Sequence, residues 1–254
     1  MRTVYTVILF VVGLFMGSFY NVVGYRLPNR MSLIKPNSHC TNCKKELKWY
    51  HLIPVFSYLF LGGKCAYCKA KIGIIHPLVE LITGVLFAVS YYSFGFTWNF
   101  GIALVVSSLF AIIIVSDLNY LVISDEVLAV AGSLIIVFNF FNLGIIGVLK
   151  TILYGLIMFG IMFLMMKLGN KIFKQESLGG GDIKLMLVLG MTLPLIMNIF
   201  SIFIASCIAL PISLIILFKN KDNVIPFGPF LVAGNLLVMF LKLDVLELVK
   251  MFQE

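Results

Sequence analysis

The sequence predicts an all-α polytopic membrane protein, and three observations carry that prediction. Of its 254 residues, 61% are hydrophobic and 12% are charged, too few charges to clothe a water-soluble domain. Apolar windows long enough to span a bilayer fill nearly the whole chain; each needs roughly 20 residues, because no water reaches the backbone in the hydrocarbon. One stretch, residues 25–75, departs from this pattern with nine Lys or Arg against one acid, Glu46.

The windows fall at Val4–Gly24, Pro77–Phe94, Trp98–Asp117, Val127–Phe141, Ile145–Lys167, Ile183–Met197, Ile199–Phe218 and Pro226–Leu243, about eight crossings. The first is too long for a secretory signal peptide and no small-residue cleavage site follows it, so it reads as a retained helix. Lys and Arg accumulate on the cytoplasmic side of membrane proteins. With 25–75 on that side, alternate crossings add 118–126, 167–184 and 219–225, and the four segments hold 15 of the 19 basic residues. The net charge of +8 thus reflects orientation in a bilayer, and no nucleic-acid partner is expected. The chain divides into a first transmembrane helix (1–24), a cytoplasmic loop (25–75) and a membrane body (76–254).

An ionisable group in or beside an apolar helix is costly and marks a candidate functional site. Asp117 in "IIIVSDLNYL", Asp182 in "LGGGDIKL" and Glu80 in "HPLVELITG" qualify. Two crossings separate Asp117 from Asp182, so both carboxyls come to the cytoplasmic ends of their helices. Asp182, just before an apolar run, also reads as a helix N-cap. The preceding Gly179, Gly180 and Gly181 favour a site, since they carry no Cβ and admit another backbone at close range. Asp117 falls at the negative end of its helix dipole, where an acid needs another justification. Asp125 and Glu126 suit a helix start, with Ser124 as an alternative cap, and read as structural.

Two carboxyls held close share a proton, which is what aspartic proteolysis requires. The ionised member takes a proton from water, the water attacks the peptide carbonyl, and the protonated member polarises that carbonyl. The same pair serves a proton-coupled transporter, with Glu80 as a further group, and residue chemistry leaves the two readings open. A non-catalytic assembly scaffold is a third reading, resting on the cysteines alone.

Four of the five cysteines form "CTNC" (40–43) and "CAYC" (65–68), with 21 residues between the inner pair. That spacing is close to zinc ribbons, so Cys40, Cys43, Cys65 and Cys68 are expected to hold one zinc. Two disulfides are the alternative, disfavoured in a reducing compartment. Four thiolates leave no open position for water, so the metal is expected to be structural. His39 reads as a surface histidine and Cys207 as a buried small residue.

Several segments together resemble one family over nearly the whole chain. They are "GGGD" (179–182), "SDLNYLVISD" (116–125), "GSFYNVVGYRLP" (17–28), "LGGKC" (61–65), "HPLVEL" (76–81) and "IPFGPF" (225–230). The family is the bacterial type IV prepilin leader peptidases, relatives of the GxGD intramembrane aspartyl proteases. The resemblance implies catalysis by Asp117 and Asp182, with Gly179, Gly180 and Gly181 positioning the substrate. It implies removal of a basic leader from prepilins or pseudopilins at the cytoplasmic membrane face. Many members then methylate the new N-terminus with S-adenosylmethionine, which points to the 25–75 loop as an N-methylation region. Gly17, Ser18, Asn21 and Arg26 are candidates to contact the methyl donor, with helix packing the alternative for Gly17 and Ser18. Glu80 either assists there or pairs with a loop lysine, and the methyl-donor site stays unassigned. A tetracysteine loop is a family feature, though some members lack it. Ser124 departs from the proline common at that position, which weakens a role for Asp125 and leaves Asp117 untouched.

Overall fold

Apolar side chains on every side of a helix suit burial against both protein and lipid, and the chain resolves into helices of that kind. A computed structural model describes residues 1–174, 178–219 and 226–242. Parts of the basic segments 167–184 and 219–225, Ile225 of "IPFGPF" and Leu243 lie outside the described residues. In order, the helices are α1 (Arg2–Arg26), the short α2 (Phe56–Phe60), α3 (Ile75–Phe94), α4 (Trp98–Tyr120), α5 (Asp125–Phe173), α6 (Gly180–Leu189), α7 (Leu195–Lys219) and α8 (Gly228–Leu241). Five of them, α1, α3, α4, α5 and the Leu195–Ile215 part of α7, are long and apolar enough to cross a membrane.

The 49 residues assigned to α5 are two helices. Gly144 stands at φ 70°, ψ −176°, a conformation only glycine enters freely. Asn139 Nδ2 reaches Thr151 Oγ1 at 3.5 Å, whereas 12 residues of straight helix would hold them about 18 Å apart. The chain therefore reverses at Gly144, between the fourth and fifth expected crossings.

The sixth expected crossing differs. Gly180–Leu189 is ten residues long, about 15 Å, half of a bilayer core. The chain then turns before Pro194, and the carbonyls the turn frees are met by side chains. Asn198 Nδ2 binds Gly190 O at 2.9 Å and Leu193 O at 2.7 Å, and Asn139 Nδ2 binds Met191 O at 2.9 Å. Asn139, Asn198 and Asn235 are all buried, which is how irregular backbone is tolerated away from water.

Packing centres on α4, which touches α1, α3, α5 and α8 and buries Ala103, Val106, Leu109 and Ile113. Helix α1 meets α3 through small residues spaced four apart. A Cβ at Gly13 would lie 2.7 Å from Gly84 Cα, and one at Gly17 would lie 2.7 Å from Glu80 Cα. Close backbone approach of this kind holds helices together where lipid removes the hydrophobic drive. Cys207 is exposed on α7, not buried as expected. A small apolar side chain suits a lipid-facing surface as well as a core.

Candidate active site and metal centre

Asp117 and Asp182 come from different helices to one place. Asp117 lies in the last turn of α4, and Leu121, at φ 54°, ends that helix by donating its N–H to Asp117 O at 3.0 Å. The N-cap of α6 is Gly179, so Asp182 is the third residue of that helix, its N–H on Gly179 O at 3.2 Å. Its carboxyl thus faces the positive end of the helix dipole without being the cap. Both aspartates are buried, and both line a cavity of about 550 Å³.

The cavity walls come from four parts of the chain: the exit of α1 (Leu27, Pro28, Arg30), the α4–α5 turn, the glycine run and Pro226–Phe227. Among the described residues, Asp117 Oδ2 is buried and completes no full hydrogen bond, with the Gly228 backbone N–H standing toward the carboxyl. An acceptor left so costs about 1–3 kcal/mol, a cost that fits an atom kept for a ligand or water. The chain makes room for it: a Cβ at Gly228 would lie 2.9 Å from Asp117 Oδ2 and 3.0 Å from Ile123 Cδ1.

The three glycines of the motif differ in their surroundings. A Cβ at Gly179 would lie 3.3 Å from Asp182 Oδ2, one at Gly180 would meet nothing within 4 Å, and one at Gly181 would press on Ile123 Cβ at 3.1 Å. Gly181 therefore serves contact between α6 and the α4–α5 turn, and Gly180 leaves open space. At the rim Lys184 Nζ binds both carboxylate oxygens of Asp125 at 2.8 Å. Asp125 opens α5 after Ser124, which makes no side-chain cap. Sequence reasoning did not single out Gly228, Ile123, Lys184 or Arg30. Gly228, Ile123 and Lys184 were visible only as members of "IPFGPF", "SDLNYLVISD" and "LGGGDIKL", and Arg30 only as one of the basic residues of 25–75.

The residues proposed around the methyl donor have partners within the chain. Arg26 is buried and donates to Ser32 O at 2.9 Å, Leu33 O at 3.2 Å and Pro36 O at 2.6 Å, tying the start of the loop to α1. Asn21 Nδ2 binds Gly17 O at 3.2 Å and His76 O at 3.1 Å, while its buried Oδ1 has no partner among the described residues. Glu80 is buried and accepts the Val55 N–H at 2.7 Å, with Ser18 beside it. Its partner is thus loop backbone and not a loop lysine.

The four loop cysteines converge. Each CxxC closes a tight turn: Lys44 N donates to Cys40 O at 2.9 Å and Lys69 N to Cys65 O at 3.1 Å, with Lys44 and Lys69 at φ 57° and 58°. A single antiparallel bridge brackets each turn, His39 with Glu46 and Lys64 with Lys71. The four Sγ atoms lie within 4.8 Å of one another, and Cys40 and Cys68 are 3.8 Å apart. Four thiolates at 2.3 Å from a tetrahedral ion stand about 3.8 Å apart, so the cluster fits a metal, and all five cysteines are free of disulfides. The thiols act on one another: the Ala70 backbone N–H and the Asn42 side chain lower Cys68, whereas, against the Lys45 backbone N–H, the neighbouring thiols raise Cys43. His39 Nδ1 is engaged with Asn37 O at 2.9 Å and stands outside the cluster.

Fold and site together define a polytopic membrane protein with a paired-carboxyl cavity and a tetracysteine loop. The chain belongs to the type IV leader peptidase family: that family's sequence model matches residues 104–214, and the bacterial peptidase A24 N-terminal domain matches 11–94. The "Prepilin leader peptidase/N-methyltransferase" of Bacillus subtilis (strain 168) is 33% identical, over 91% of this chain and 92% of its own. The protein of that name from Pseudomonas aeruginosa is 33% identical over 87% of this chain and 86% of its own. The one from Myxococcus xanthus is 38% identical over 73% of this chain and 55% of its own. No solved structure matches.

Proposed function

We propose that the protein is an aspartic endopeptidase that removes the leader from type IV prepilins or pseudopilins, with Asp117 and Asp182 as its catalytic pair. The observation that carries this is their convergence from α4 and α6 into one cavity, with Asp117 Oδ2 buried and completing no full hydrogen bond. In the reaction one carboxylate removes a proton from a water while that water's oxygen bonds to the scissile carbonyl carbon. The other carboxyl gives its proton to the carbonyl oxygen. Collapse of the tetrahedral intermediate breaks the C–N bond as a proton passes to the departing amine. Gly179, Gly180 and Gly181 position the substrate in this reading, and the open space at Gly180 suits an extended peptide best. The charge distribution supports a cytoplasmic active site.

The names of the relatives support a second activity, N-methylation of the new N-terminus with S-adenosylmethionine as methyl donor. The loop of residues 25–75 is its proposed region. Cys40, Cys43, Cys65 and Cys68 would hold a zinc ion, which would supply a structural cross-link within the loop. The transporter reading predicts substrate-dependent flux in sealed vesicles and an intact leader. Incubating the purified protein with a prepilin and S-adenosylmethionine and weighing the product separates the readings. Loss of the leader mass and gain of one methyl group support this one, and an unchanged mass contradicts it.

A further inference from the structure

The loop between α1 and α3 turns large apolar side chains outward. Trp49 is 77% exposed, and on α2 Phe56, Leu59 and Phe60 are 55%, 66% and 87% exposed. Residues three and four apart share one helix face, so Phe56, Leu59 and Phe60 form a single apolar face. The intervening Tyr58 is turned into the loop, where a Cβ at Gly63 would lie 2.9 Å from its Oη. Contiguous apolar exposure of this kind marks an interaction surface.

Two observations say what covers it. Val55, the N-cap of α2, donates its N–H to Glu80 Oε2 at 2.7 Å. Glu80 is five positions along α3 from its first residue, Ile75, a rise of about 7.5 Å. The bond thus ties the start of α2 to the first two turns of α3, a helix long and apolar enough to cross a membrane. Val55 stands at φ 62°, a costly conformation for a β-branched residue, so the placement is imposed by the surrounding fold. The second observation is charge. Residues 25–75 carry nine Lys or Arg against one acid, and Lys44, Lys45, Lys48, Lys64, Lys69 and Lys71 are all exposed.

We propose that Trp49 and the Phe56–Leu59–Phe60 face are an interfacial anchor that inserts among anionic lipid headgroups, with the loop lysines contacting the phosphates. Aromatic and aliphatic side chains next to a basic surface are what interfacial segments use, the apolar part entering about 5–10 Å. The anchor fixes the cysteine cluster against the bilayer. It goes beyond the peptidase reading and rests only on the chain residing in a membrane.

The sequence holds two tryptophans, Trp49 and Trp98, so Trp49 can be read directly. The full chain carrying Trp98→Phe is reconstituted in phosphatidylcholine vesicles with and without phosphatidylglycerol, using lipids brominated at shallow acyl positions. Should that variant misfold, the difference between the unaltered chain and Trp49→Phe isolates the same signal. With phosphatidylglycerol present, Trp49 is expected to lose most of its emission to the bromines and to resist quenching by aqueous iodide. Phe60→Ser should reverse both effects. Free iodide quenching without bromine quenching would overturn the proposal. Equal bromine quenching in phosphatidylcholine alone would overturn the anionic-lipid assignment, and protection that arises only on adding a prepilin would transfer the surface to a protein partner.

Discussion

Gly228 stands against Asp117: a Cβ at position 228 would lie 2.9 Å from Asp117 Oδ2, with Ile123 Cδ1 and Ile113 Cγ2 closing the other sides at 3.0 and 3.2 Å. Those apolar neighbours are packed in the core, so the carboxyl is the group that must move. Gly228→Ala is expected to lower leader cleavage about tenfold or more, ~1.4 kcal/mol or more of barrier, with little change in abundance. Gly180→Ala meets open space and should fold normally. Initial rates normalised to membrane-inserted protein check both, and unchanged cleavage in Gly228→Ala would detach Gly228 from the site.

Lys184 and Asp125 join the starts of α6 and α5 at 2.8 Å, with side chains 54% and 67% exposed. An exposed ion pair contributes about 0–1 kcal/mol. Asp125→Asn should therefore retain most cleavage, and Asp125→Lys combined with Lys184→Asp should recover activity lost in either single reversal. Loss of cleavage in Asp125→Asn as deep as in an Asp117 variant would make Asp125 a participant in the chemistry.

Purified protein should carry about one zinc per chain, as one four-thiolate site requires, measured by elemental analysis. Cys40→Ser and Cys65→Ser should lose the metal, open the loop to limited proteolysis, and lower methylation more than cleavage. Metal-free protein with full activity would remove the structural role.

Asn142 Nδ2 reaches Asn99 Oδ1 at 2.9 Å, so the start of α4 and the reversal near Gly144 lie on one side. Lysine-directed labelling should reach Lys48 and Lys174 from the cytoplasmic face, and a cysteine placed at Asn99 should react from the opposite face. Labelling of Lys48 from outside would break the charge-based orientation.

The apolar windows made the long helices legible because a bilayer demands length and apolarity of each crossing. The reversal at Gly144 falls in the gap between the windows Val127–Phe141 and Ile145–Lys167. The short α6 was not legible. Asn139, Asn198 and Asn235 were visible polar residues in apolar windows, but their tasks exist only once distant helices pack: Asn139 and Asn198 meet the carbonyls of Gly190, Met191 and Leu193, and Asn235 joins Thr192 Oγ1 to Asn198. The two aspartates stood out because charge in an apolar helix is costly, whereas Gly228 acquires its meaning from the approach of α8 to α4. Hydropathy alone reads Cys207 as buried, because it does not separate a lipid-facing position from a core one. Arg26, a plausible cofactor contact by charge, binds three loop carbonyls that only the folded loop presents.

The central claim is that Asp117 and Asp182 act as a general acid–base pair in catalysis and not as structural groups. Asn matches Asp in size and caps helices about as well, while a proton-sharing, water-activating pair needs two carboxyls. The most direct measurement is leader cleavage of a prepilin by Asp117→Asn and Asp182→Asn at matched membrane abundance. The account predicts no detectable cleavage by either variant and persistent methylation of a pre-cleaved pilin. Substantial cleavage by either one would contradict the aspartic mechanism.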